Sequence, residues 1–199
     1  MTHITRLLGA GLAVALFGVL PAQAETYQID AGHSALDFGI RHLVGRTKGK
    51  FKEFTGAITY DEKAVEKSSV EAVIKVSSID TENEKRDGHL KSPDFFDAEK
   101  YPEITFKSTK VEKGEDGKLL VTGDLTLHGV TKSVQLPVEI LGTGTNPWTN
   151  LPMIGFSTSL VVKRSEFGVN SWADNTGVLG DEVAVGISVE ASVAPPEKK

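Results

Sequence analysis

The chain has 199 residues, with 27 acidic against 22 basic side chains and a formal net charge of −5 at pH 7. This acidic balance argues against a nucleic-acid partner held through a basic surface. The sequence contains no cysteine, which excludes a disulfide framework, a thiolate nucleophile and a cysteine-bound zinc.

The N-terminus has the pattern of an export signal. Arg6 precedes an apolar run over 7–20, and the small residues Ala22 and Ala24 follow. Because the run is too short to span a bilayer comfortably, we predict a secretory signal peptide over 1–24, cleaved after Ala24. Export without cysteines favours a bacterial periplasm over an animal extracellular space.

The rest of the chain is predicted to form one domain over 25–193. This length suits a single domain with a sizeable core, and no later apolar run approaches that of a membrane-spanning helix. A disordered tail is expected over 194–199.

From Glu25 onward, short segments that alternate apolar and polar residues are separated by Gly, Asp, Asn or Pro, as is typical of strands and hairpins. Leu36, Phe38, Ile40 and His42, for example, share one face of their segment. We predict a short lead strand at 26–30 and eight principal strands at 34–42, 48–60, 68–80, 102–113, 118–127, 131–142, 153–163 and 182–193.

Tight turns are predicted at 113–118 and at 128–131. Strands joined largely in sequence favour an all-β antiparallel meander, and closure into an eight-stranded barrel would remove its exposed edges. A β-sandwich is the main alternative.

The segment 81–102, called the crossover below, breaks the strand pattern. Its first half is charged and compatible with a helix, Pro93 can open a helical turn, and Tyr101 with Pro102 marks the return to extended chain. We therefore predict a short helical crossover between two strands.

The stretch RDGHLKSPDFFD within the crossover suggests a lid. In a helical turn, Phe95 and Phe96 can straddle the barrel mouth beside Leu90. Arg86 can pair with a carboxylate, Asp87 can cap the backbone, and Asp87 and His89 are expected to supply ordering hydrogen bonds. A catalytic role for this loop is the alternative.

An eight-stranded barrel can be filled by side chains or can hold one small ligand. Both outcomes remain open on the residues alone, and a filled barrel would suit an interaction or stress-protection module. The side chains expected to face inward are Phe38, Ile40, Phe51, Phe54, Ile74, Phe106, Leu125, Leu127, Leu136 and Phe156.

Catalytic motifs are not evident. No GxSxG elbow occurs, and His33 and Ser34 would point to opposite faces of a strand. The best enzymatic alternative is a metal-assisted hydrolase that uses His42, His89 and His128, although these lie on separate segments without an HExxH motif. We expect no catalytic activity, no metal and no cofactor.

Six stretches of the sequence, taken in order, resemble the YceI-like family and together cover essentially the whole mature chain. This family comprises periplasmic polyisoprenoid-binding proteins of lipocalin-like barrel fold. The six stretches read YQIDAGHSALDFGIRHL, GKFKEFTGAITYD, SSIDTENEKRDGHLKSPDFFDAEKYPEITF, VTGDLTLHGVTKSVQLPV, NPWTNLPMIGFSTSLVVKRSEFGV and GDEVAVGISVEA.

The resemblance implies an antiparallel barrel around a long apolar tunnel that takes up an isoprenoid or another long-chain amphiphile, with no established catalytic reaction. A polyprenol, an isoprenoid quinone or a fatty amide would be bound for carriage or sequestration. The crossover then lies beside the barrel mouth, and we also keep open a transient membrane contact and a homodimer.

Polar ends of amphiphiles need partners where such a tunnel meets water. We expect the head-group contacts to include Arg164, His42 and His33, near strand ends, and Phe95 or Phe96 to contact the ligand or the apolar rim. The alternative for Arg164 is a structural pair with Asp181 or Glu166.

Overall fold

The computed structural model of the chain describes residues 24–172, 174–175 and 177–195. The predicted signal peptide, apart from Ala24, and most of the predicted tail lie outside the described residues. Within the described ranges, no helix combines the length and apolar character that crossing a membrane requires.

The described residues form eleven strands and one α-helix, with short 3-10 turns between some of them. The strands are β1 Glu25–Ile29, β2 Ala35–His42, β3 Gly45–Phe51, β4 Phe54–Tyr60, β5 Ser69–Lys75, β6 Ile79–Asp80, β7 Glu103–Lys113, β8 Leu119–Leu127, β9 Val130–Thr145, β10 Pro152–Lys163 and β11 Leu179–Val193, and the helix α1 is Glu84–Lys91.

The strands form an eight-stranded antiparallel closed barrel. Strands β1, β4, β5, β7, β8, β9, β10 and β11 are neighbours in that order, and β1 closes the ring by pairing with β11. The long β11 also pairs with β2, so that Ile29 lies opposite Ala191 and Ala35 lies opposite Ser188. Strands β1 and β2 are therefore two halves of one interrupted barrel strand, and the predicted barrel is confirmed.

Two strands predicted to be continuous are interrupted. The predicted strand 48–60 breaks between β3 and β4, and the predicted strand 68–80 breaks at a 3-10 turn over Val76–Ser78. The breaks face each other, because the Lys52 N–H donates to the Ser78 carbonyl and the Lys75 N–H donates to the Glu53 carbonyl. A paired irregularity of this kind bends both strands together while their backbone groups stay bonded.

The hairpin between β8 and β9 turns at His128 and Gly129, inside the predicted range. Their φ angles are 51° and 75°, so both residues lie in the left-handed region that two-residue hairpins require. A Cβ on Gly129 would also lie 2.5 Å from the Tyr101 ring, which favours glycine there for a second reason.

Four connecting segments meet at one end of the barrel, called the crossover end below. The Leu43 N–H donates to the Val178 carbonyl at 2.8 Å, and the ring centroids of Tyr101 and His128 lie 4.5 Å apart. The segments are the β2–β3 turn, the crossover, the β8–β9 turn and the loop over 164–178.

The opposite end of the barrel, where β4 turns into β5, is packed with apolar side chains. Val65 is buried there, and the ring of Tyr60 meets the ring of Phe156 edge-on, with centroids 6.0 Å apart. Arg86 and Arg164, by contrast, lie at the crossover end.

Candidate functional site

The barrel encloses an apolar cavity of about 440 Å³. Phe54, Ile74 and Phe106 point inward yet remain only partly buried, because they face open space rather than other side chains. This volume lies within the usual range for a small-molecule site, and the interior does not have the filled packing of the alternative considered above.

Apart from His33, described below, the side chains predicted to bind a ligand lie in the wall of this cavity. Contact of any one of them with a ligand stays a prediction. They are Phe38, Ile40, His42, Phe51, Phe54, Ile74, Phe95, Phe96, Phe106, Leu125, Leu127, Leu136, Phe156 and Arg164.

Sequence reasoning missed much of the wall that β11 contributes. Val183, Val185, Ile187 and Val189 alternate with residues on the outer face and line the cavity. The period-two pattern in this strand could have identified them, but small apolar residues on its other face weaken that pattern. Trp172, in the loop over 164–178, also lines the cavity and carries no periodic signal.

The crossover covers the cavity with two aromatic rings. Phe96 meets Phe51 edge-on with ring centroids 6.0 Å apart, and Phe95 packs edge-on against His89 at 5.0 Å. Phe95 is only 9% exposed. Both phenylalanines therefore belong to the cavity wall and to the hydrophobic attachment of the crossover.

Hydrogen bonds to Thr81 order the start of the crossover. Thr81 is 5% exposed; its N–H donates to the Asp87 carboxylate at 2.9 Å, and its hydroxyl donates to the same oxygen. Arg86 donates from Nε and Nη2 to the Thr81 hydroxyl and carbonyl, each at 2.7 Å. The expected pairing of Arg86 with a carboxylate is therefore wrong, because buried oxygens of Thr81 need its donors.

Asp87 supplies the expected ordering hydrogen bond to the backbone, at the Thr81 N–H, but it does not cap helix α1. Helix α1 begins one residue after Asn83, whose side chain accepts the Arg86 N–H at 3.0 Å and caps the helix. Asp87 lies in the first turn and reaches back to Thr81 instead.

Asp94 links the second half of the crossover to helix α1 and to the loop that carries Ser171. One carboxylate oxygen of Asp94 lies 3.1 Å from His89 Nε2, and its carbonyl accepts a hydrogen bond from the Ser171 hydroxyl. The loop over 164–178 and the crossover are thus joined where both border the cavity.

Arg164 is a buried cation in the wall of an apolar cavity, with 6% of its surface exposed. Its Nε donates to the Gly180 carbonyl at 2.9 Å, and its Nη1 donates to the carbonyls of Val169 and Ser171 at 2.7 Å each. Burial lowers the pKa of Arg164, although the charge of Asp181 opposes this shift.

The alternative pairing of Arg164 with an acidic neighbour is wrong. Asp181 accepts from the Ser165 N–H at 2.9 Å and from its hydroxyl at 2.8 Å, while Glu166 pairs with Lys132 at 3.4 Å. Burial acts to raise the pKa of Asp181, but the hydrogen bonds from Ser165 and the Arg164 charge leave it below its ordinary value.

His33 does not reach the cavity, contrary to the expected head-group contact. It is exposed on the outer surface, and its Nδ1 is hydrogen-bonded at 2.8 Å to the carboxylate of Asp30, three residues earlier in the sequence. Asp30, His33 and Glu190 form the one group of potential metal ligands found among the described residues. It is mainly exposed to solvent.

The histidines of the enzymatic alternative are not assembled into a metal centre within the described chain. His42 and His89 line the cavity, whereas the ring of His128 packs at a tilt against Tyr101 and its Nδ1 lies 3.3 Å from the Phe167 carbonyl. His128 therefore supports a hairpin rather than joining the other two.

Comparison with known proteins yields consistent matches. The family model described as "YceI-like domain" matches residues 27–191. Protein YceI of Escherichia coli O157:H7 is 40% identical over 187 residues, which cover 92% of this chain and 95% of that protein.

Two solved structures share the fold. Burkholderia cenocepacia BcnA superposes with a TM-score of 0.75 at 27% identity, covering 81% of this chain and 98% of that one. A polyisoprenoid binding domain from Saccharophagus degradans, implicated in plant cell wall breakdown, gives a TM-score of 0.65 at 20% identity, with coverage of 84% and 98%. At that identity, the second likeness concerns the fold alone.

Proposed function

This chain belongs to the YceI-like family, and we propose that it is a periplasmic binding protein that holds one long-chain isoprenoid or similar amphiphile in the barrel. The observation that carries the proposal is the closed barrel with an apolar cavity of about 440 Å³. A polyprenol, an isoprenoid quinone or a fatty amide fits this description. A domain of the same fold is described as polyisoprenoid-binding, so a barrel of this architecture is compatible with an isoprenoid ligand.

The energetics favour a long chain over a short one. Each buried methylene contributes about 0.8 kcal/mol. A chain of roughly ten or more carbons can therefore outweigh the entropy lost when ligand and protein associate. Carriage or sequestration of such a molecule needs no catalytic group. The His89 imidazole at the cavity wall already has a hydrogen-bond partner in the Asp94 carboxylate.

Ligand exchange is proposed at the crossover end, in transient contact with a membrane. Leu43 and Trp172 leave about half of their surfaces exposed there, at 51% and 55%, and Val44 is fully exposed. Trp172 also lines the cavity, and Leu43 and Val44 form the β2–β3 turn at the same end of the barrel. These three exposed apolar side chains, called the rim below, give an insoluble ligand a path between membrane and cavity that avoids water. Exposed apolar patches of this kind mark sites of membrane interaction.

The central experiment is native mass spectrometry of the protein purified from periplasm, followed by lipid extraction. The expected result is one bound amphiphile per chain. A ligand-free mass, together with no uptake of polyprenol, isoprenoid quinone or fatty amide, would overturn the proposal.

A second experiment addresses the membrane contact. Transfer of an isoprenoid quinone from vesicles should be slower for Val44→Asp than for the wild type. Val161→Asp is the matched control, because Val161 is exposed on the outer face of β10 away from the cavity. Equal transfer rates for the two variants would contradict a rim contact.

A further inference from the structure

We infer that the cavity selects amphiphiles whose polar end is an anionic oxygen group, a carboxylate or a phosphate, and that Nη2 of Arg164 binds this group. The inference rests on the proposed amphiphile cavity, and it puts an anionic polar end in place of the neutral alcohol, quinone or amide ends named there. Three observations about charge and hydrogen bonding carry it.

The first observation is the unequal use of the Arg164 donors. The single N–H of Nε and both N–H groups of Nη1 have backbone carbonyl acceptors. Nη2 is buried and has no hydrogen-bond partner among the described residues. Since buried donors are almost always satisfied, two unmet N–H groups on a side chain of a ligand cavity indicate a missing acceptor.

The second observation is that no carboxylate offsets the guanidinium charge directly within the described part of the chain. The three acceptors of Arg164 are neutral carbonyls, and the carboxylate of Asp181 accepts its hydrogen bonds from Ser165 instead. The charge of Asp181 acts on Arg164 only from beyond ion-pair distance, so the guanidinium keeps a positive potential toward the cavity that an anionic ligand would neutralise.

The third observation is the composition of the wall. The whole chain carries a net charge of −5, yet Arg164, Arg86, His42 and His89 line the cavity, and Asp37 is the one acidic residue among the described residues of its wall. Asp37 follows Leu36 and precedes Phe38, so its side chain points to the other face of β2. The charged side chains that face the cavity from the described residues are therefore the arginines Arg86 and Arg164, within an acidic protein.

The position of Arg164 suits an end group rather than the apolar chain. It directly follows β10 at the crossover end, and its Nη1 holds the carbonyls of Val169 and Ser171 in the loop that carries Trp172. Because Nη2 is enclosed without ligand, we expect the side chains around it to shift when the end group enters. A carboxylate or phosphate oxygen can then accept both N–H groups of Nη2.

The test compares matched ligands on the full-length mature protein after delipidation. Hexadecanoate is measured against hexadecanol, and geranylgeranyl phosphate against geranylgeraniol, by isothermal titration. Each anion should bind about tenfold more tightly than its alcohol or better, because hydrogen bonds to charged groups exceed neutral ones. A gain for only the phosphate or only the carboxylate identifies which oxyanion the site takes, and either supports the inference.

Variants assign the gain to Arg164. Arg164→Gln should remove the preference for the anion while binding of the alcohols continues. Arg46→Gln should keep the preference, since Arg46 is exposed on β3 outside the cavity wall. Should Arg164→Gln fail to fold, carbon NMR titration of carboxyl-labelled hexadecanoate bound to the wild type decides instead, because pairing with Arg164 must lower the carboxyl pKa.

The outcomes separate the two proposals. Equal affinity for anions and alcohols, or an unshifted carboxyl pKa, overturns the anionic end group and leaves the amphiphile cavity intact. Failure of all four ligands to bind counts against both the anionic end group and the cavity function on which it rests.

Discussion

Phe96 of the crossover meets Phe51 of β3 edge-on, with ring centroids 6.0 Å apart. Phe51 in turn lies 5.7 Å from Phe38 on β2. This aromatic row joins the crossover to the wall of the cavity, so the segment that covers the barrel end is held by the same surface that a ligand would contact. Ligand release is therefore expected to depend on these contacts.

Replacing Phe95 and Phe96 together with alanine should accelerate ligand release more than it slows uptake. Lost contacts in a bound complex act mainly on dissociation, and each phenylalanine removes a large apolar area. Stopped-flow release of a fluorescent polyene measures the effect. Trp148→Ala is the matched control, since Trp148 is 87% exposed in the β9–β10 loop at the other end.

An unchanged release rate in the double variant would show that the crossover does not act as a lid. Loss of activity on some substrate in Asp87→Asn or His89→Gln would then favour the catalytic alternative for this loop. Thermal unfolding of both variants tells a folding defect from a functional one.

Gly129→Ala should destabilise the protein more than Gly117→Ala. Both glycines have φ near 75°, so the backbone strain of alanine is alike, at about 1–2 kcal/mol. A Cβ on Gly129 would meet the Tyr101 ring at 2.5 Å, whereas nothing lies within 4 Å at Gly117. The additional loss in the free energy of unfolding is expected to be about 1–3 kcal/mol.

Urea denaturation of the two variants measures this difference directly. Equal midpoints would mean that Tyr101 moves aside without loss, and that its stacking on His128 contributes little to holding the crossover.

How much the sequence could predict depended on whether a feature is local. Alternation correctly placed Phe38 and Ile40 inside the barrel, because side-chain direction follows from strand geometry alone. The partners of Arg164 could not be predicted, since the carbonyls of Val169 and Gly180 meet it only through the fold.

The interrupted strands have the same explanation. Residues 48–60 keep a strand-like composition through the break at Lys52 and Glu53, and the break depends on hydrogen bonds to Ser78 and Lys75 of a different strand. His33 shows the reverse case. Its partner Asp30 is three residues away, and this local pairing could have been considered against a head-group role.

The Asp30–His33 pair should stabilise the protein only within a pH window. The hydrogen bond that the Asp30 carboxylate accepts from His33 raises the pKa of His33, so this contribution is complete below the ordinary value of 6.5 and is lost as pH rises through the folded pKa. The hydrogen bond from His33 lowers the pKa of Asp30. The contribution of the pair is therefore also lost at acidic pH, as pH falls through the lowered pKa of Asp30. A double-mutant cycle with His33→Gln and Asp30→Asn should show coupling at pH 6.

The cycle is measured by thermal unfolding at pH 6 and at pH 9. Because the pair is exposed, the coupling should be small and weaker in high salt. Coupling that is equal at both pH values would show that charge on His33 does not contribute.

Val185→Phe tests whether empty volume, rather than surface apolarity, limits binding. Val185 lines the cavity and is only partly buried, so a phenylalanine there would occupy space that a ligand chain needs. We expect affinity for long chains to fall and short chains to be affected less, with the folded protein as stable as before or more so, because the added ring enters open space. Val161→Phe adds the same atoms on the outer face, where Val161 is 62% exposed, and should leave binding unchanged.

Titration with fatty alcohols of increasing length measures how the affinity of Val185→Phe depends on chain length. A uniform loss at every length would place the new ring at the entrance, and unchanged affinity at all lengths would mean that the ligand lies outside the barrel.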